Sequence, residues 1–463
     1  MIFPDNNNAM FKRQIQASLQ KWAASPFRKP LVIRGARQTG KTTVVNEFAK
    51  GFATYLYVNL ENPLAVSLFE TPQSIDDLLS DLLLFCNTSK KEGTILLFID
   101  EIQNSPAAVQ KLRYFYEERP DIFVIAAGSL LERLLASGIS FPVGRVEYLA
   151  MRPCSFLEFL NAIGETALHD RIREAPASLN PFHEKLMLLL NRYALIGGMP
   201  EVVARYAATK DIPDLSSVLS GLLEGYRDDS EKYAGSKIEK ECIRTILQQG
   251  WGMAGSAITF NGFGGSNYKS REMGESFRIL EKAMLLELVY PTVNTALPII
   301  TESKKSPKLL WLDIGLVNFA AGNQREVFGA KDILDVWRGH LAEQLVGQEL
   351  LTLNDQYGTI RAFWVRNSKG SDAEVDFVCN IQSTLIPIEV KSGINSKLRS
   401  LHSFVDQSNK TQNASPCKLA VRIWSGPYST DTVTTAEGNS FSLINIPFYL
   451  IGALHTIVEG YLS

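Results

Sequence analysis

At 463 residues the chain is too long for one ordinary hydrophobic core and is expected to divide into two to four domains. Its 45% hydrophobic and 21% charged residues, with a formal net charge of −2, exclude a polycation that coats nucleic acid, so any such surface is local. Five scattered cysteines (Cys86, Cys154, Cys242, Cys379, Cys417) form no CxxC pair, which argues against a zinc site or disulfide framework and for a reducing compartment.

The start, "MIFPDNNN", lacks the charged and then apolar pattern of a signal peptide, and no run of about 18 apolar residues offers a membrane span. A cytoplasmic protein without a membrane partner is expected. Residues 31–45 then read "LVIRGARQTGKTTVV". A short buried-type strand runs into Gly-x-x-x-x-Gly-Lys-Thr, and a helical segment follows at 44–50. The glycines permit a loop whose backbone N–H groups wrap phosphate oxygens, and the helix start adds its positive end. Gly35, Ala36, Arg37, Gln38, Thr39, Gly40, Lys41, Thr42 and Thr43 are the expected nucleotide-binding residues. Lys41 would reach the β- and γ-phosphates of ATP, and Thr42 would ligate Mg2+.

"TILLFIDEIQ" at 94–103 places Asp100 and Glu101 at the end of an apolar strand. Asp100 is expected to hold the magnesium, and Glu101 to polarise the attacking water. A third strand, "IFVIAAGS", ends at Ser129, which would sense the γ-phosphate or simply cap the helix after it. Three strands with intervening helices predict an α/β, doubly wound parallel sheet over 1–152. Arg37 and Arg145 are the arginines best placed to offset charge on the γ-phosphate, Arg145 in cis or in trans across a homo-oligomer. An ion-paired or solvated arginine is the plainer alternative for each.

From 153 to 235 apolar residues recur at helical spacing, broken by "GGMPEVV" at 197–203, and a helical lid is expected. Over 236–330, "KIEKECIRTILQQG" and "YKSREMGESFRILEKAMLL" read as helices, and "LELVYPT" and "KLLWLDIGL" as two strands joined by a basic loop. That order predicts a winged helix, with Lys269, Arg271, Lys304, Lys305 and Lys308 as DNA contacts. Residues 232–310 carry eleven Lys/Arg against seven Asp/Glu, a local +4. A structural connector with solvated charges explains the same residues.

The last unit, 331–463, opens on a helix bearing Glu343 and Glu349, followed by strands at "IRAFWVR", "AEVDFVCN", "TLIPIEVKSG" and "CKLAVRIWSG". A helix, "SKLRSLHSFVDQ", separates the last two. Alternation puts Glu374 and Asp376 on one face and Val375 and Phe377 on the other, and pairs Glu389 with Lys391. A hairpin would bring Asp376, Glu389 and Lys391 together, with Glu343 as a third carboxylate. Two or three carboxylates that fix magnesium, and a lysine that orients water, are what a phosphodiesterase needs. A half-exposed structural strand pair is the alternative.

"RGARQTGKTT", "FIDEIQ", "GRVEYL…RPCSFLEFL", "GGMPE", "LDIGL" and "EVDFV…IPIEVKSG" occur in this order. The chain thereby resembles the bacterial and archaeal AAA-type ATPases that carry a C-terminal domain of unknown function related to the PD-(D/E)xK nucleases. The resemblance implies a P-loop ATPase domain, helical lid, winged helix and restriction-endonuclease-like domain. It assigns nucleotide roles to Lys41, Thr42, Asp100, Glu101 and Ser129, and nuclease-like positions to Glu343, Asp376, Glu389 and Lys391. The glycine-rich "WGMAGSAITFNGFGGSNYKS" departs from a compact helix and turn. Two functions are expected to compete: an ATP-dependent DNA-processing enzyme, and a nucleotide-switched DNA- or protein-binding regulator that does not cut. An ordinary metabolic ATPase or kinase is a third reading, without a second-substrate signature.

Overall fold

The computed structural model describes residues 11–128, 141–322, 339–356, 358, 361–366, 373–393, 398–411 and 416–462, with the side chains of 230–233 left out. Ser129 lies outside the described residues. The first unit is a five-stranded, wholly parallel sheet of β1 (Leu31–Arg34), β2 (Thr54–Asn59), β3 (Ile95–Asp100), β4 (Ile122–Gly128) and β5 (Glu147–Ala150), in the order β2-β3-β4-β1-β5. Three strands were expected. β2 alternates buried and open positions, and β5 is only four residues long, so neither carries the long apolar run that marks a central strand.

β1 and β3 are buried on both faces. Val32, Leu97 and Ile99 pack on Val109 and Leu112 of the Pro106–Glu118 helix, in one core. Ile33, Leu96 and Phe98 face Val44, Val45 and Trp22 in another. Two cores on one sheet are what a doubly wound arrangement requires. Ser105 caps the Pro106–Glu118 helix by accepting from Ala108 N–H, with proline at its first turn.

Helices follow from Phe156 to Tyr233, the first held by a capping box between Ser155 and Glu158. Two amphipathic helices, Lys237–Gln249 and Ser270–Lys282, pack together and lead into the hairpin of β6 (Leu286–Val289) and β8 (Lys308–Trp311). The glycine-rich stretch between the helices forms two short 3-10 turns. The hairpin is not a free wing. Between its strands, β7 (Pro291–Thr292) joins the C-terminal sheet.

That sheet has seven strands: β7, β9 (Ala362–Val365), β10 (Glu374–Ile381), β11 (Thr384–Lys391), β12 (Leu419–Trp424), β13 (Ser429–Thr434) and β14 (Ser440–Pro447), in the order β13-β14-β12-β11-β10-β9-β7. β10 and β11 form the expected antiparallel hairpin, and β12 lies parallel to β11. The pairing of β10 with β9 shifts register between Val375 and Val378. The bulge overturns simple alternation, because Val375 and Phe377 enter different cores rather than sharing a face. One hydrophobic core continues from the helices that follow Phe156 through the hairpin into this sheet. The chain beyond the first sheet therefore packs as one body, and Ala150 N–H of β5 donates to Asp355 O across the join.

Candidate functional sites

At the C-terminal end of β1 the chain turns through Gln38 (φ 62°) and Gly40 (φ 92°) into the Lys41–Ala49 helix. The left-handed turn suits glycine at 40, and Gly35 has no room for a side chain, since a Cβ there would sit 2.5 Å from Met151 O. Lys41 is buried and donates to Gly35 O at 2.9 Å and Ala36 O at 2.8 Å. Burial lowers its pKa to about 8, against the pull of Glu101 and Asp100. Thr42 Oγ1 donates to Asp100 Oδ2 at 2.7 Å, joining loop and β3 as a shared magnesium site requires. Burial raises the Asp100 pKa, partly offset by the Thr42 hydrogen bond. Glu101 takes a left-handed backbone, φ 52°, and with it lines the cavity; Gln103 Nε2 donates to its carboxylate.

The cavity measures about 590 Å³, within the range that holds a small ligand. Arg37, Gln38, Gly40, Lys41, Thr42, Thr43 and Glu101 line it, joined by Arg13, Pro200 and Glu201. Arg13 was not foreseen. Its guanidinium pairs with Glu158, 145 residues away, at 2.9 Å and donates to Thr39 O at 3.1 Å, tying the loop to the Phe156–Ala162 helix. Arg37, which lines the cavity, pairs with Asp229 at 2.9 Å, while Tyr226 OH donates to Arg37 O at 3.0 Å. Arg145 is half-exposed and paired to Glu117 at 2.5 Å, in agreement with the plainer reading of that arginine.

The second site lies where the hairpin meets the C-terminal sheet. Asp376 Oδ2 accepts from Val390 N–H at 2.7 Å, which draws β10 and β11 together just past the end of their ladder. Glu389 pairs with Lys391 at 2.5 Å, and its other oxygen, Oε2, is buried with no hydrogen-bond partner. Glu343 enters from the His340–Thr352 helix. Carboxylate oxygens of Glu343, Glu374 and Asp376 lie within 4.8 Å of one another. These all-oxygen donors fit a hard divalent cation such as magnesium, and the orphaned oxygen of Glu389, whose carboxyl feels the Asp376 charge, is a further candidate ligand. Burial and the Asp376 charge push the Glu343 and Glu389 pKa values up.

Lys308 corrects the sequence reading. It is not on an exposed loop with Lys304 and Lys305 but 3% exposed, at the start of β8. Its Nζ lies 2.7 Å from Glu343, 2.6 Å from Glu374 and 3.5 Å from Asp376, and 4.9 Å from the Phe363 ring centre. Burial works against its charge, yet the three carboxylates outweigh that and raise its pKa. Lys269, Arg271, Lys304 and Lys305 are exposed, with Arg271 paired to Glu275. Alternation pointed to Glu374; no local signal pointed to Lys308.

Residues 27–160 match the model of an AAA domain. The first unit is an AAA-type P-loop ATPase domain. Residues 187–327 match one domain of unknown function, DUF8612, and residues 338–447 another, DUF4143. No curated protein matches the chain. Among solved structures it is similar to the Walker-type ATPase PABY2304 of Pyrococcus abyssi, at 13% identity and a TM-score of 0.40, covering 68% of this chain and 97% of that one. It is also similar to PCH-2 of C. elegans, at 10% identity and a TM-score of 0.29, covering 44% of this chain and 65% of that one. At these scores neither bears on what this chain does. Among the described residues no helix is long and apolar enough to cross a membrane.

Proposed function

We propose that this ATPase couples ATP hydrolysis to magnesium-dependent processing of DNA by the C-terminal unit, with the middle helices and hairpin as a winged-helix DNA contact. One observation carries the reading: carboxylate oxygens of Glu343 and Asp376 lie within 4.8 Å of each other, and Asp376 accepts from Val390 N–H between Glu389 and its partner Lys391, in a body packed against the ATPase domain. The C-terminal unit is then a PD-(D/E)xK nuclease-like domain. Glu343, Asp376 and Glu389 would hold the magnesium, which would supply the charge that polarises a scissile phosphate. Lys391, anchored on Glu389, orients the attacking water.

In the ATPase domain, Lys41 would exchange its two loop carbonyls for phosphate oxygens, and Thr42 with Asp100 would hold the nucleotide's magnesium. Glu101 accepts a proton from the attacking water. Ser129 would sense the γ-phosphate, and Arg145, released from Glu117, would offset its charge in cis or in trans.

Full-length protein incubated with linear and plasmid DNA, Mg2+ and ATP should cut, and Asp376→Asn should lose at least 100-fold in cleavage rate. Undiminished cleavage in that variant would overturn the site. The regulator reading, without cleavage, draws support from the Lys308 ammonium among the carboxylates. Intact DNA whose affinity changes between ATP and ADP is the result that would select it.

A further inference from the structure

We infer that Lys308 is a tethered counter-cation of the carboxylate cluster, and that its side chain and a divalent ion compete for the same oxygens. The inference rests on the metal-site reading above and deepens it, because it names what decides whether the site takes a metal.

Three observations carry it. First, the Nζ of Lys308 sits against three carboxylates contributed by two elements, at 2.6 to 3.5 Å, with an aromatic face behind it. A primary ammonium there stands in for the cation that an all-oxygen cluster otherwise recruits. Second, the ammonium does not complete the site. Glu389 Oε2 remains buried without a hydrogen-bond partner, a position an inert salt bridge leaves unexplained. Four carboxylates (Glu343, Glu374, Asp376, Glu389) face two ammonium groups (Lys308, Lys391), a formal excess of two negative charges when all are ionised. Third, Lys308 comes from another unit. It begins β8, whose far end leads to Asp313, and Asp313 Oδ2 accepts from Gly198 N–H at 2.5 Å, two residues before Pro200 in the nucleotide cavity. One four-residue strand thus has its first residue in the acidic cluster and its exit tied to the wall of the ATP site.

Glu343 Oε2 and Asp376 Oδ1 cannot serve the ammonium and a metal ion at full strength together, so removing the ammonium should open the site. The test compares Mn2+ binding, by calorimetry and by electron paramagnetic resonance, in full-length protein and Lys308→Met. Both carry Asp100→Asn to silence the nucleotide site. Lys308→Met should bind Mn2+ at least ten-fold more tightly than its parent, and Asp376→Asn added to it should abolish the gain. Lys308→Met with Glu374→Gln removes one charge of each sign; it should show the same gain and guards against a fold that fails on the single change.

Equal binding in parent and Lys308→Met, lost in both with Asp376→Asn, keeps the metal site and overturns the competition. Absence of binding in folded variants overturns both. If neither variant folds, Lys308 is a structural pin and the inference falls.

Discussion

The two lysine-and-acid sites of this chain use the same residue types to opposite ends. In the ATPase domain Lys41 is buried against neutral carbonyls, its carboxylate neighbours are occupied elsewhere, and burial pulls its pKa down to about 8. Such a cation gains from any phosphate that arrives, and the open cavity beside it gives one room. At the second site Lys308 of β8 is buried against carboxylates of the C-terminal unit, which raise its pKa, and the site is already neutralised in part by the chain itself. The lesson is that a buried lysine marks an anion site or fills a cation site according to what lies within about 3 Å of it, and residue type alone does not say which.

The largest expected effect tests the first half of that contrast. Lys41→Ala should abolish ATP binding and lower hydrolysis at least 100-fold, while Glu101→Gln should keep ATP binding and lose hydrolysis to a similar degree. Steady-state phosphate release and binding of a fluorescent ATP analogue would measure both. Wild-type turnover in either variant would erase the distinction between the two sites.

A middle-sized effect concerns the buried polar join between them. Glu349 accepts from Phe156 N–H at 3.1 Å and from Tyr193 OH at 2.6 Å, and Gln348 bridges Ile314 N–H and Tyr193 OH. Burial pushes the Glu349 pKa up to about 7. An acid whose folded pKa is raised contributes stability that is intact below its unfolded value and lost as pH climbs toward 7. Glu349→Gln keeps both hydrogen bonds and removes the titration, so its advantage over the parent should grow between pH 4.5 and 7, to on the order of 3 kcal/mol. Thermal unfolding of both proteins across that range is the check; parallel pH profiles would mean the carboxyl is not held protonated.

The smallest expected effect is at the surface. Lys304→Glu with Lys305→Glu should weaken DNA binding a few-fold and flatten its salt dependence by roughly two phosphate contacts, read from fluorescence anisotropy at several salt concentrations. An unchanged slope would assign DNA contact, if present, to another face.

Much of the architecture was legible because it rests on short-range rules. The apolar runs of β1, β3 and β4, Gly40 ahead of Lys41, and the acids closing β3 are all local patterns. The β10–β11 hairpin and the spacing of Glu389 and Lys391 belong with them. β2, β5, β13 and β14 were missed: the first three lie at sheet edges with half-open faces, whereas β14 is an eight-residue inner strand whose apolar residues the reading passed over. Alternation through Glu374–Phe377 misjudged one face, because a bulge depends on the partner strand β9 as well as on the residues that form it.

Sequence alone determined the phosphate loop, its acidic partner strand and the acid-x-lysine strand, because each is a set of backbone and spacing requirements satisfied within about ten residues. Only the tertiary structure decided that Arg13 grips Thr39, that Asp229 holds Arg37, and that Lys308 leaves the basic loop for a carboxylate cluster 35 to 68 residues further along the chain. A charge finds its partner by packing and desolvation, and those are set by which elements share a core rather than by which residues are neighbours in the chain.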